Sequence, residues 1–255
     1  IVQQGIQQYP FSFEARRFAD LLIHPFGWST MAPPPKQGRS ISEINRDWML
    51  MLPPNIIASI LEQLPPAFLF EKLNDGSSFL ANKIGEQIGS KRIHLIDDAN
   101  MLAGLNTRLF DARGVPPKPL TLIADGVMQD TYVSLQQAQQ YKTQPTGHQN
   151  IRNDLWCGNL MSQMGRRSQN MILADKGDAL LATHLLEPTH LNIETGMLRF
   201  VANFDYITSK GSEGRLGPKE IEVPLLDLFA QVEETANDQN RYNHVDASTW
   251  VLTDC

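Results

Sequence analysis

Cysteine is nearly absent from this sequence: Cys157 and Cys255 are its two cysteines in 255 residues. Two cysteines so far apart supply neither a disulfide framework nor the paired spacing of a structural zinc site or a redox dithiol. The expectation is a reducing, cytoplasmic compartment, with each cysteine serving as a packing residue. Long apolar runs are lacking as well. The most hydrophobic stretch, Trp48 to Leu61, is interrupted by Pro53-Pro54 and is shorter than the roughly 20 apolar residues of a membrane helix. Positive charge is in deficit, with 22 Lys and Arg against 28 Asp and Glu for a net charge of -6. Short basic pairs such as Arg16-Arg17 and Arg166-Arg167 do not make a phosphate-binding surface, so direct nucleic-acid binding is not expected. No Gly-rich phosphate loop, nucleophile elbow or ordered Ser/His/Asp set occurs, and no internal repeat or low-complexity tract is found. The chain opens on Ile1 rather than Met, as a fragment or processed form would, and targeting at that end is not legible.

What remains is an ordinary globular composition. A hydrophobic content of 42% with 20% charged residues is enough for a folded core, and the length favours one main body. Residues 1–50 contain the best candidate linker, and 51–255 read as the principal domain. Within the first part, Ser12 to Leu22 carries apolar residues at helical spacing after a serine cap. The three consecutive prolines in Met31 to Gly38 mark an extended connector.

From Asn55 to Leu64 the residues Ile56, Ile57, Ile60, Leu61 and Leu64 form one helical stripe, opened by Pro53-Pro54 and closed by Pro65-Pro66. Phe79 to Ile88 reads as another short helix. Arg92 to Ile96 alternates like a half-buried strand, with Asp97 and Asp98 at its solvated end, since neighbouring strand residues face opposite ways. Two apolar runs around Asp125-Gly126 predict a hairpin with strands at 119–124 and 127–134. A short helix follows from Gln136 to Tyr141. Strands are predicted at Asn170 to Ala174, Ala179 to Leu185, His190 to Glu194 and Met197 to Ile207, and a last helix from Leu225 to Glu234.

Three ordered segments resemble the TldD/PmbA family, also called modulators of DNA gyrase. Phe110-Asp-Ala-Arg-Gly-Val115 with Leu122-Ile-Ala-Asp-Gly-Val-Met-Gln-Asp-Thr-Tyr132 resembles the family's "FDxEGV…LxxxGVLxxY" hairpin. Thr143-Gln-Pro-Thr-Gly-His148 is similar to its "STGNA" or "STGHA" segment. Asn170 to Gly177, then Leu191-Asn192 and Thr195-Gly196, are similar to "NLxLxxG…VNxxTGDF". The resemblance covers chiefly the family's second half, roughly residues 50 to 235. It implies an α+β fold, a mainly antiparallel β domain with a few packed helices, in the cytoplasm and in dimers. TldD-type members are zinc metallopeptidases acting on peptides in an internal cavity. TldE-type members lack the zinc motif and pair with them.

In TldD-type proteins an upstream helix carries His-Glu-x-x-x-His, two imidazoles one turn apart gripping zinc while the Glu takes a proton from metal-bound water. The alignment places Leu61, Glu62 and Pro66 at these positions, so Glu62 alone of the three is retained, and no catalytic residue, metal or cofactor is expected. The resemblance also singles out Thr146, Gly147, His148, Thr195 and Gly196 as candidate substrate- or partner-facing positions. Gly147 has a competing role in a backbone turn. The implied function is a non-catalytic subunit paired with a TldD-like zinc peptidase, or a homodimer. The alternatives are a stand-alone peptide- or protein-binding pseudoenzyme dimer, and a peptidase with unusual ligands such as His184, His190 and Cys157. The string His184, Glu187, His190 would bring ligands to one face only on a helix, and Pro188 with the flanking strand patterns argues against one. After Gly196 the family's acidic-aromatic pair is replaced by Met197-Leu198-Arg199-Phe200, and Ser209 to Pro218 is elongated and polar.

Overall fold

The computed structural model describes residues 2–4, 7–9, 39–40, 49–151 and 154–253. The helix expected at Ser12 to Leu22 and the connector at 31–38 lie outside the described residues. Among those described, β1 (Val2–Gln4) pairs with β2 (Gln7–Tyr9) and β3 is Arg39–Ser40. The body begins with β4 (Met49–Leu52), α1 (Pro54–Leu61), a 3-10 turn (Pro65–Phe68) and α2 (Phe70–Asp75). Strands β5 (Leu95–Asp97), β6 (Leu120–Ala124) and β7 (Val127–Met128) precede α3 (Leu135–Tyr141), β8 (Leu160–Ser162) and α4 (Gln169–Lys176). Then come β9 (Ala179–Leu185), β10 (His190–Leu191), β11 (Met197–Thr208), β12 (Gly211–Pro224) and α5 (Leu225–Ala230). The last strands are β13 (Val232–Thr235), β14 (Asn240–Tyr242), β15 (Val245–Ala247) and β16 (Trp250–Leu252).

Two sheets carry the fold. The larger has the order β13-β16-β4-β9-β11-β12-β3 with β10 beside β11, and the smaller runs β14-β15-β8-β5-β6-β7. Pairing is mostly antiparallel, the exceptions being β4 with β9, β8 with β15 and β3 with β12. This is the expected α+β class. Helix α1 touches β9 of the first sheet and β14 and β15 of the second. Its stripe of Ile56, Ile57, Ile60 and Leu61 shares one core cluster with Leu95, Leu122 and Ile123 on one side and Phe200, Phe204 and Trp250 on the other. Each such buried side chain contributes about 2 kcal/mol through removal from water. Pro54 opens the helix where no amide partner is required, and the chain leaves the helix at Glu62. Leu64 remains in the core, through a separate 3-10 turn rather than a continued helix.

Several expected elements take another form. Asn170 to Ala174 belongs to α4, not to a strand, because Ser168 caps the segment and accepts a hydrogen bond from the Met171 amide at 3.3 Å. The strand nearest upstream is β8, at Leu160–Ser162. Phe79 to Ile88 forms turns. Asn82 and Gly85 adopt positive φ there, and the Phe79 and Ile88 amides donate to Ile193 and Gly126 rather than along a helix. The 92–96 strand begins only at Leu95, and the one expected at 127–134 stops at Met128, since Tyr132 turns to pair with Phe68. The last helix ends at Ala230, and β13 takes the residues that follow. Among the described residues no helix is long and apolar enough to cross a membrane.

Gly165 shows how tightly β8 is seated. A Cβ there would lie 1.6 Å from the Thr235 carbonyl oxygen, a backbone contact that no rotamer change relieves. Gly165→Ala is expected to destabilise the chain by about 2 kcal/mol or more, and Leu61→Ala by about 2–5 kcal/mol through the cavity it leaves. Urea unfolding followed by far-UV circular dichroism measures both.

Candidate functional site

The burial pattern of β5 explains the position of the first functional group. Ile93, Leu95, Asp97 and Ala99 are all buried, so Asp97 shares the inward face of an alternating run. The reading of Asp97 as a solvated strand end is therefore corrected: its side chain is fully enclosed, while Asp98 caps the turn by accepting from the Asn100 amide at 2.8 Å.

Asp97 Oδ2 receives three hydrogen bonds, from Tyr132 Oη at 2.8 Å, Cys157 Sγ at 3.2 Å and the Gly158 amide at 3.0 Å. His148 Nε2 stands 3.6 Å from the same oxygen. The His148 ring packs edge-on to Tyr132 with centroids 5.1 Å apart and stacks on Trp156 at 6.0 Å. Arg108, itself exposed, lies 4.3 Å from the Trp156 ring centroid. Cys157 is thus not the simple packing residue expected from the sequence, but a donor to a buried carboxylate.

Each member is held by its own segment. Tyr132 is fixed by the 3-10 turn, its amide donating to the Phe68 carbonyl at 2.9 Å and Thr131 Oγ1 donating to the same carbonyl. His148 is set by the two residues before it. Thr146 Oγ1 accepts from the Val133 amide at 3.2 Å, and Gly147 has φ of +76° with its Cα against Pro116 and Pro117. An added Cβ at Gly147 would lie 2.5 Å from Pro117 Cα, so the turn role expected for glycine is what the backbone requires here. Beyond His148, Asp111 Oδ2 accepts from the Gln149 amide at 3.1 Å, while Oδ1 closes its own loop by accepting from Arg113 and Val115. The Phe110 to Val115 segment thereby braces the histidine. At Cys157 the needed small residue is Gly158, where any Cβ would fall 2.2 Å from Asp97 Oδ1.

Burial dominates the electrostatics. It pushes the Tyr132 hydroxyl and Cys157 thiol well above their usual pKa ranges, with the nearby Asp97 charge acting in the same direction. The thiol is consequently held protonated and is no activated nucleophile. Burial also lowers the His148 pKa below its ordinary 6.5, outweighing the opposing pull of Asp97 and of the Thr146 backbone. The Thr146 carbonyl influences the ring without making a hydrogen bond of normal geometry to it.

The zinc-motif positions border this cluster. Leu61 is 1% exposed within the core and Pro66 belongs to the 3-10 turn, so neither offers a donor atom. Glu62 Oε1 accepts from Asn243 Nδ2 at 3.2 Å and lies 3.9 Å from His244 Nδ1. Residues Leu61, Glu62 and Pro66 do not fit a zinc ion, which needs imidazole, thiolate or carboxylate donors converging from several residues. Thr195 and Gly196 lie away from the cluster in the β10–β11 turn. Asn192 Oδ1 accepts there from the Glu194 and Thr195 amides, and Gly196 packs on Phe79. His184 is on β9 and His190 on β10, facing Asn203 and Arg199 of β11, whereas Cys157 precedes β8 in the other sheet. Glu187 lies 3.8 Å from Arg199. Among the described residues no three His, Cys, Asp or Glu side chains form a group able to hold a metal ion, and the fold does not bring His184, His190 and Cys157 together.

The family described as the PmbA/TldA metallopeptidase C-terminal domain matches residues 46–255. The chain belongs to this family. Three solved structures share its fold, each covering 84% of the chain. A candidate modulator of a DNA gyrase from Thermotoga maritima is 20% identical with a TM-score of 0.76, over 50% of its own length. TldE from Thermococcus kodakarensis is 24% identical with a TM-score of 0.75, over 51%. A candidate gyrase modulator from Bacteroides thetaiotaomicron is 18% identical with a TM-score of 0.70, over 47%. An uncharacterised protein from Methanocaldococcus jannaschii is 29% identical over 100 residues, which are 39% of this chain and 24% of that protein. The chain thus spans about half the length of these solved structures and matches about a quarter of the curated relative.

A histidine kept neutral by burial couples stability to pH. An unfolded histidine titrates near 6.5, so as pH falls below that value the unfolded chain binds the proton first and the folded state loses stability down to the lowered folded pKa. Urea unfolding between pH 7.5 and 5 is expected to show this loss, with a shallower slope in His148→Gln. Asp97→Ala, which strips Tyr132, Cys157 and Gly158 of their common acceptor, is expected to cost about 3 kcal/mol in the same assay.

Proposed function

We propose that this chain acts as a non-catalytic TldE/PmbA-like subunit of a TldD/TldE-type zinc peptidase assembly, working in the cytoplasm on peptides. The observation that carries the reading is the chemistry at Leu61, Glu62 and Pro66. Where a TldD-type helix carries two zinc ligands and a general base, this chain has a core leucine, a carboxylate bonded to Asn243 and a proline. The shared fold with TldE from Thermococcus kodakarensis supports the same assignment. In this reading a TldD-like partner brings the metal, and this chain contributes wall and interface to the peptide chamber. Thr146, Gly147, His148 and Gly196 are then framework positions of that wall, since His148 and Thr146 are buried and both glycines occupy constrained turns, while the exposed Thr195 is the substrate- or partner-facing position of the set.

A second reading, a stand-alone pseudoenzyme that captures peptides or another protein, draws on the exposed apolar side chains Leu102, Leu109, Phe110 and Ile151. Contiguous exposed apolar surface marks protein interaction sites.

Co-expression with a TldD-like zinc protein separates the two. The first reading expects a stable complex, with peptide hydrolysis by the pair, none by this chain alone, and loss of activity on chelation. A homodimer that ignores a TldD-like protein but binds peptide would support the second, and stoichiometric zinc with hydrolysis in the isolated chain would sink both.

A further inference from the structure

Leu102, Leu109, Phe110 and Ile151 are 91%, 80%, 60% and 84% exposed. Large apolar side chains left in water forgo the gain of burial, and several on one part of a surface mark a site of interaction. The segments that bear these four are bonded into one unit. The Arg108 amide donates to the Ala99 carbonyl at 3.1 Å, and the Gly104 amide to Met101 at 3.1 Å closes the turn that holds Leu102. The Ala112 amide donates to the Gln149 carbonyl at 2.9 Å, two residues along the chain from Phe110 on one side and from Ile151 on the other. Asn100 Nδ2 donates to the Pro117 carbonyl at 2.9 Å, and the Lys118 amide to the Thr146 carbonyl at 3.4 Å.

Charge sets this unit apart from the rest of the chain. Asp111 is the one acidic residue between Ala99 and Ala124, none occurs between Thr131 and Ile151, and the next carboxylate after Ile151 is Asp154. Asp111 is buried, and its oxygens are occupied by the amides of Arg113, Val115 and Gln149. Arg108 and Lys118 are exposed on the same segments. A chain of net charge -6 thus turns a cationic and apolar face to solvent here. The exposure also decides what can cover that face. A captured peptide needs a groove whose walls shelter it, whereas these side chains project outward, so the occupant must bring the recess. Nucleic acid would match the cations through its phosphates but leave the four apolar groups in water. We infer that the loops at 99–118 and 146–151 are the surface through which this chain meets a folded protein partner whose facing surface is an apolar recess rimmed by carboxylates. Leu109 and Phe110 enter the recess, and Arg108 and Lys118 meet the rim, where opposite charge sets orientation and the rate of encounter. That the partner is the TldD-like subunit rests on the function proposed above.

Titration of the chain with a TldD-like zinc protein, followed by light scattering and calorimetry, tests the assignment. Leu109→Ser with Phe110→Ser is expected to weaken the complex about tenfold or more. Arg108→Glu with Lys118→Glu is expected to weaken it and to flatten its dependence on salt between about 0.05 and about 0.5 M. Far-UV circular dichroism checks that each variant folds, and Leu102→Ser with Ile151→Ser, on separate turns, replaces either pair that does not. A complex that forms with the unmodified chain and is unchanged in the variants overturns the docking face and spares the proposed assembly. No complex with the unmodified chain overturns both. A homodimer or a duplex-oligonucleotide complex that forms in its place and is lost in Leu109→Ser with Phe110→Ser reveals a different occupant and refutes the inference.

Discussion

The carboxylate of Asp97 is the tie point of the smaller sheet and its loops. One oxygen atom accepts from Tyr132, Cys157 and Gly158, and so joins β5 to the segment after β7 and to the approach to β8. Burying a carboxylate is costly unless donors replace its lost hydration, and three donors on one oxygen supply that replacement. The arrangement is reciprocal. Tyr132 also pairs with Phe68, the last residue of the 3-10 turn, so the segment after α1, the hairpin and the Cys157 segment all converge on this carboxylate. Gly158 and Gly147 are the small residues that let the backbones close around it.

Much of the fold was legible in the sequence. The stripe from Ile56 to Leu61 became α1, Asp125-Gly126 became the β6–β7 turn, and the run from Met197 became β11. The failures share a physical origin. Phe79 to Ile88 has helical spacing, yet its backbone groups find partners in Ile193 and Gly126, and long-range pairing outweighs local propensity. Asn170 to Ala174 has strand-like composition, but a serine cap one step upstream decides for a helix. The short strands β13 to β16 carried too few residues to show a period.

The site was less visible. Thr146, Gly147 and His148 were reached through the motif they share with the family. Asp97 and Cys157 were not, because an aspartate at a strand end and an isolated cysteine each have a commoner explanation. The signal for Asp97 was nevertheless present: extending the Ile93–Leu95 alternation by one step turns it inward. Cys157, by contrast, is brought to Asp97 by the strand pairing of β5 with β8, which no local pattern reveals. The two halves of the candidate site also differ in kind. The motif-derived threonine and glycines are backbone architecture, while the buried carboxylate, imidazole, phenol and thiol form one hydrogen-bonded and electrostatic unit.

Strand β4 lies between β9 and β16, with Leu52 opposite Trp250. During synthesis its neighbour on one side therefore emerges long after it, and the other only at the end of the described chain. Contacts of such sequence separation slow folding, and an unpaired apolar strand invites association with other chains. For Met49 to Leu52, the interval between leaving the ribosome and the arrival of β16 is thus a window in which a chaperone or a partner subunit would find an exposed sheet edge.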